Sequence, residues 1–378
     1  MTFIPYGKPN VDQTDIDAVI EVLHTDWLTT GPYVEVFENA FAEFVGAEYA
    51  IAVNSGTAAL HAALHCLDLS PGDEVIVPTL TFAASANAVC YVKGVPVFAD
   101  VDQDTLLIDP VDVERKITAR TRAIVAVDYA GQPCDYDALH ALCKKHNLVL
   151  IADACHAPGA SYKGKPVGTL ADMSTFSFHP VKHLTTAEGG MITTRCSEWA
   201  KRMRRFRNHG IDTDHRQRAQ QGMFTYDMTE LGYNYRLPDV LCALGTQQLK
   251  KMPFWLKQRR KQADYYNEGL IGLQEIQPLV ALSDRQHAYH LYVVKIAERD
   301  RCYHELRQAG IGANVHYTPV HLHSYYQNQT IYQDVSCPIA EKVSTEILTL
   351  PLYPGLERDQ QDFIIERLQV FLSDLKSG

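Results

Sequence analysis

Leu148-Val149-Leu150-Ile151-Ala152-Asp153-Ala154-Cys155-His156 is an apolar run that stops on an acid. The run is too short for a buried helix and reads as a strand covered on both faces, the kind found in parallel sheets. An ionised Asp at the C-terminal edge of such a strand lies where open α/β sheets bind ligands. Burying that charge alone is costly, so a cation is expected to face Asp153. Similar runs recur outward on both sides: Ala50–Val53, Glu74–Val77, Val95–Ala99, Ala123–Val127, Met173–Phe178 and Gly190–Thr193. Helices are predicted between them, over Ala58–Cys66 and Asp135–His146 among others. The alternation predicts an α/β fold, a mixed and mostly parallel sheet flanked by helices.

Outside this region the pattern changes. Ile16, Val19, Ile20 and Leu23 fall at helical spacing and predict a helix over 12–24, capped by Asp12 or Thr14. Asp26–Pro32 reads as a loop and Val34–Val45 as a second helix. Lys201, Arg202, Arg204, Arg205 and Arg207 lie on a predicted helix. They read as a solvated basic face or, alternatively, as ligands of a polyanion near the site. Residues 213–224 read as a surface loop. Beyond Leu249 the pattern becomes α plus β: a charged helix over Lys257–Leu270, an apolar run His290–Ile296, a helix Arg301–Gln308 and an amphipathic helix Arg358–Lys376. The expected organisation is a large domain with an N-terminal arm over 1–248 and a smaller α+β domain over 249–378.

Composition narrows the function classes. The 378 residues carry 35 basic and 45 acidic side chains, a formal charge of −10, with 46% hydrophobic and 21% charged residues. These are globular proportions. The acidic balance argues against a nucleic-acid binder. The N-terminus has no signal-peptide pattern, and no run is long and apolar enough to span a membrane. Nine scattered cysteines without a CxxC pair read as reduced thiols, with no metal site expected. The expectation is a cytoplasmic protein.

The chemistry concentrates between Leu148 and Gly190. Ser177-Phe178-His179-Pro180-Val181-Lys182-His183 follows another strand-like run and leads into Thr185-Thr186-Ala187-Glu188-Gly189-Gly190. The paired glycines imply close backbone approach. A strand-end Asp and a loop Lys at this separation match the needs of a pyridoxal 5'-phosphate enzyme. Lys182 would form the Schiff base, reachable as a neutral amine if burial and nearby positive charge lower its pKa. Asp153 would hold the pyridine nitrogen protonated. Taken singly, Lys182 reads equally as a surface lysine and Asp153 as a helix cap; the flanking Ser and Gly pattern favours the joint reading. Asn54-Ser55-Gly56-Thr57-Ala58 reads as a strand-to-helix turn whose free amides, with the Thr57 and Ser177 hydroxyls, would hold a phosphate. It is neither a Walker loop nor a dinucleotide fingerprint. Phe82 reads as a stacking partner for a planar ring or as a core residue. His321 and His323 read as surface histidines.

With these motifs the chain resembles the sugar-aminotransferase family of fold-type I pyridoxal phosphate enzymes, which act on nucleotide-linked keto sugars. The likeness rests on Trp27–Pro32, Asn54–Leu60, Pro78–Asn87, Asp153–Gly159, Ser174–Gly190, Arg207–Gly210 and Leu231–Pro238. It implies a ping-pong transamination in which L-glutamate becomes 2-oxoglutarate while the cofactor alternates with pyridoxamine phosphate. Val127–Gly131, Thr185–Gly190 and Glu230–Arg236 point within the family to members that aminate C4 of a UDP-linked 4-keto-6-deoxy sugar of the L-arabino series. The resemblance further implies that His156 lies beside the cofactor ring. Asn234 would reach the phosphate of a partner's cofactor, hence a homodimer with shared active sites. Tyr6, Asp26, Trp27, Leu28, Thr29, Gly56, Asn314, Val315, His316 and Tyr317 match the sugar-nucleotide site. Relatives that dehydrate the sugar carry His where this chain has Lys182, which favours amination; His183, one residue on, should point elsewhere. A non-catalytic sensor of cofactor or sugar nucleotide is the alternative of another class.

Overall fold

The computed structural model describes residues 3–213, 216, 218 and 222–377, so the loop expected over 213–224 lies partly outside the described residues. Its centre is a seven-stranded sheet in the order β1-β9-β8-β5-β4-β2-β3. The strands are β1 Tyr49–Val53, β2 Glu74–Pro78, β3 Val95–Ala99, β4 Thr121–Val127, β5 Val149–Asp153, β8 Met173–Ser177 and β9 Gly190–Thr194. Two-residue strands β6 Ser161–Tyr162 and β7 Lys165–Pro166 form a small separate sheet with β11 Arg285–Gln286. Every predicted strand of the large sheet is present, with ends shifted by a residue or two.

Only β9 runs against the others. β5 pairs in parallel with β4 and β8, β2 in parallel with β3 and β4, and β9 is antiparallel to β1 and β8. The C-terminal ends of β1, β2, β4, β5 and β8 therefore meet along one edge. The start of β9 joins them there, with Gly190 opposite both Val53 and Ser177. This edge is where the turn after β1, the segment Asp153–His156 and the Ser177–Lys182 loop must converge.

The second hydrophobic cluster encloses β10 Ile276–Pro278, β12 Tyr292–Ile296 and β13 Ile347–Leu350 with the helix Arg358–Ser377. Ile364, Leu368, Phe371 and Leu372 of that helix are buried, on the predicted face. The helix expected over Lys257–Leu270 is the end of a longer one, Asp239–Gly269, which carries Pro253 inside it. Met252, Trp255 and Leu256 belong to the large core, Ala263 and Tyr266 to the small one. Position 248/249 falls within this rod.

The first helix, Gln13–Leu23, is capped by Asp12 through a reciprocal box with Asp15. Its apolar stripe is not what it buries: Ile16, Ile20 and Leu23 stay exposed, while Asp15, Ala18 and Val22 turn inward. The reason is polar. Asp15 is drawn to the long helix by Gln248 Nε2 at 2.7 Å and Lys251 Nζ at 2.8 Å.

The basic run departs from the solvated-face expectation. On the helix Ser197–Phe206 and just beyond it, only Lys201 behaves as a solvated residue. Arg204 reaches Glu38 at 3.2 Å, and Arg207 pairs with the other oxygen of the same carboxylate. These side chains close the exposed edge of β1: Glu38 accepts from Ala52 N at 3.0 Å, Arg207 donates to Ala52 O at 2.6 Å and Arg204 to Ala50 O at 3.1 Å. An open strand edge is a pairing hazard, and here side chains complete its hydrogen bonds. Among the described residues no helix is long and apolar enough to cross a membrane.

Candidate active site

The turn after β1 builds an anion cradle from the backbone. Ser55 caps the helix Gly56–His65 by accepting from Ala58 N at 3.0 Å, and Ala59 N bonds to Ser55 O. The amides of Gly56 and Thr57 have no partner among the described residues, and the positive end of the helix dipole lies with them. A Cβ at Gly56 would sit 2.8 Å from Ser177 Cβ, so the cradle and the Ser177 hydroxyl meet only because this residue is glycine. A Cβ at Gly190 would strike Ser55 O at 2.4 Å, which is the close approach the paired glycines implied.

Asp153 ends β5 and is buried. Its Oδ2 accepts from Ser85 Oγ at 2.7 Å, and its Oδ1 from Cys155 N at 3.3 Å. Ser85 in turn bonds Thr81 Oγ1 at 2.8 Å. No ion pair to Asp153 forms among the described residues, so none of their side chains supplies the expected cation by direct contact.

Lys182 sits in the turn after β8, its amide donating to His179 O at 2.9 Å. Burial lowers its pKa, while the acidic neighbours Cys155 and Asp153 raise it. The nearby positive charge anticipated from sequence is not the cause. Lys182 Nζ lies 3.4 Å from His290 Nε2. His183 points away and bonds Ala288 O at 3.0 Å.

His156 is buried beside this lysine, its pKa held well below the usual value first by burial and then by Lys182, His316 and His183. Its Nε2 meets the Tyr317 hydroxyl at 3.2 Å, and its Nδ1 has no partner among the described residues. Phe82 is 61% exposed and stands 6.1 Å from the Tyr317 ring, so the core reading of Phe82 fails. Tyr6 lies 5.3 Å from the His316 ring. His316 bonds Thr349 Oγ1 at 2.8 Å, Asn314 approaches His316 Nε2 at 3.4 Å, and the Tyr129 hydroxyl donates to His316 O. Val315 is half-buried beside them and donates its amide to Asn314 Oδ1.

Other expected positions lie apart. Asp26, Trp27, Leu28 and Thr29 are exposed, on a loop held by Asp239 through Gly31 N at 2.8 Å and Leu28 O at 3.1 Å. Asn234 is exposed too, its carbonyl accepting from Asn54 Nδ2 at 3.3 Å. His321 is not a surface histidine: it is fully buried between Thr79 Oγ1 and Glu341 Oε1. Sequence reading missed Ser85 and His290 as site residues. Ser85 lay within a quoted motif; His290 lies 108 positions from Lys182, and no local pattern marks it.

The residues fit pyridoxal phosphate. Two free amides beside a serine hydroxyl suit a phosphate, and a buried carboxylate without a counter-ion suits a protonated pyridine nitrogen. A half-buried lysine whose amine has a lowered pKa suits the aldehyde.

The DegT/DnrJ/EryC1/StrS aminotransferase family matches residues 9–369. The chain belongs to that family. It is 39% identical over 375 residues to the Bacillus subtilis spore coat polysaccharide biosynthesis protein SpsC, covering 97% of this chain and 96% of the relative. Among solved structures it is similar to Helicobacter pylori PseC, an aminotransferase involved in the biosynthesis of pseudoaminic acid, with TM-score 0.92, 34% identity, and 98% and 100% of the two chains covered. The PMP form of Streptococcus pneumoniae Spr1654 matches with TM-score 0.91 and 34% identity over 96% of this chain and 98% of that one. The sheet and its flanking helices are those of a fold-type I aminotransferase, and this sugar aminotransferase family uses pyridoxal phosphate.

Proposed function

We propose that the protein aminates C4 of a UDP-linked 4-keto-6-deoxy-L-arabino sugar with L-glutamate as donor. In pseudaminic acid biosynthesis this is the UDP-4-amino-4,6-dideoxy-N-acetyl-beta-L-altrosamine transaminase step. The observation that carries the reading is Lys182, half-buried with its amine pKa lowered by desolvation, near Asp153, which has no ion pair among the described residues, at the edge where the parallel strands end. The similarity to PseC supports the sugar.

Bound pyridoxal phosphate supplies a carbonyl that carries the amino group and a ring that withdraws electrons from the reacting carbon. The chain does the rest. Gly56 and Thr57 amides and Ser177 Oγ hold the phosphate, and Asp153, oriented by Ser85, keeps positive charge on the ring nitrogen. His156 and Phe82 flank the ring. Lys182 removes the proton from the α-carbon of glutamate and later delivers one to C4 of the sugar. That work requires an amine whose pKa lies near working pH, and burial moves Lys182 that way. Tyr6, the loop Asp26–Thr29 and Asn314–Tyr317 take the sugar nucleotide. Asn234, exposed on this chain, reaches the phosphate site of a second copy. The bare Ile16, Ile20 and Leu23 leave apolar area for that homodimer. The absence of a membrane-crossing helix among the described residues suits a cytoplasmic enzyme.

The test is an absorbance titration of the glutamate-treated holoenzyme with separate UDP-4-keto sugars: the L-arabino 6-deoxy ketose, its D-xylo epimer and a pentose ketose. Return of the original spectrum with the L-arabino sugar alone is expected. Return with another sugar only moves the substrate within the family. A spectrum that never responds to glutamate overturns the donor.

A further inference from the structure

His290 has no role in the scheme above, yet its Nε2 lies 3.4 Å from the Lys182 Nζ, within hydrogen-bond reach. It is 5% exposed, and its Nδ1 has no partner among the described residues. The fold fixes it from several directions. Ala288 N donates to Gly131 O at 2.9 Å and Leu291 N to Ala130 O at 3.2 Å, tying the segment to the turn after β4. Gly131 has φ of +103°, and a Cβ there would stand 2.7 Å from His156 O and 3.0 Å from His290 N. Arg259, fully buried, donates to the carbonyls of Tyr289, His290 and Leu352. Tyr289 itself is held at φ +49°, a left-handed conformation that strains a non-glycine residue. A strained residue, a buried arginine bonded to three carbonyls and a glycine with no room for a side chain all place one imidazole.

We infer that His290 is a positioning residue: its Nε2 holds the Lys182 amine in one place whenever that amine is not covalently engaged. An ammonium only donates, so the tautomer that receives it carries its proton on Nδ1. The imidazole stays neutral, because burial, Lys182, His156, His183 and Arg259 all oppose its charge. It therefore accepts from Lys182 without competing for the proton. The other groups facing Lys182 are Asp153 and Cys155, which favour its charge, and the neutral imidazoles of His156, His183 and His316. The inference rests on the role of Lys182 given above, but its first readout does not.

That readout is the reactivity of Lys182 towards cyanate in the full-length, cofactor-free chain, followed against pH by peptide mass spectrometry. In His290→Phe the half-reaction pH is expected about one unit below that of the native chain, because an acceptor that favours the ammonium is lost. His290→Gln, which keeps an acceptor, should stay within about half a unit. Should the ring of Phe disrupt folding, His290→Met fills similar space without a polar atom and carries the same expectation. The second readout is the single-turnover rate of the holoenzyme with glutamate. His290→Phe should lose about 10- to 100-fold in rate with half-saturation by glutamate little changed, and Gln should recover most of it. Native-like titration of Lys182 in the Phe or Met variant overturns the inference, as does a loss that Gln fails to rescue. A Lys182→Ala variant that still reacts with glutamate would break the function instead, while leaving the titration readout intact.

Discussion

Two polar clusters sit on the same sheet and solve burial in opposite ways. At the outer edge of β1, Glu38 binds two arginines and a strand amide, and between the helices Gly56–His65 and Ser197–Phe206, Glu230 binds Arg205 at 3.0 Å, Arg202 at 3.6 Å and His65 at 3.0 Å. Each carboxylate there has its cations. At the C-terminal edge, a short distance along the same strands and among the described residues, Asp153 has hydrogen bonds but no counter-ion, Lys182 has no carboxylate in contact, and His156 and His290 each leave a ring nitrogen unpaired. A folded chain tolerates such deficits where a ligand removes them, since each costs about 1–3 kcal/mol if left alone. The satisfied cluster is architecture and the unsatisfied one is chemistry.

The sharpest way to break that contrast is at Lys182. Lys182→Ala should lower turnover by about 10⁴-fold or more while the fold persists, because both the covalent anchor and the proton carrier are gone. Product formation at a native rate would return the unsatisfied cluster to mere structure. Asp153→Ala comes next: removing the charge that answers the ring nitrogen should cost about 10²- to 10⁴-fold in kcat, read by steady-state kinetics. An unchanged kcat would mean that the missing counter-ion is not the cofactor ring.

Much of this contrast was legible in the sequence, and the limit was distance along the chain. β5 with its terminal Asp153, the Ser177–Lys182 loop and the Gly56 turn were readable because each is a local pattern: an apolar run, a turn residue, a cap. The partners were not. Glu38 meeting Arg204 and Arg207, Asp239 holding Gly31, and His290 meeting Lys182 are contacts between remote segments, and nothing in spacing announces them. The first helix misled for a related reason. Its periodicity named an apolar stripe, but buried Asp15, claimed by Gln248 and Lys251, decided which side faces in.

The satisfied cluster makes its own demand. Glu38→Gln leaves Arg204 and Arg207 at a strand edge without their shared carboxylate. Removing one member of a buried ionic set typically costs about 3–5 kcal/mol; here the partial exposure of Arg204 should hold the loss to the lower end. Chemical denaturation should report that loss, with pyridoxal phosphate affinity changed little in whatever fraction stays folded. A variant as stable as the native chain but poor in cofactor binding would invert the assignment of the two clusters.

Asp128 tests the boundary between them. It follows β4 on the site edge, is fully buried, and accepts from Cys134 N at 2.9 Å and from the Tyr136 hydroxyl, yet no cation is in contact with it among the described residues. Burial pushes its carboxyl up to about 7, with Asp153 adding to the rise and the Cys134 and Tyr136 hydrogen bonds opposing it. A carboxyl whose folded pKa exceeds its unfolded value near 4 binds its proton more tightly when folded. Its contribution is therefore present below about pH 4 and is lost as pH rises towards 7. Melting of the cofactor-free chain should fall by several degrees between pH 5 and pH 8, and Asp128→Asn, which keeps the acceptor without the charge, should flatten that slope. An equal slope in the variant would place the pH dependence elsewhere and leave Asp128 with the satisfied residues, hydrogen-bonded and indifferent to its charge.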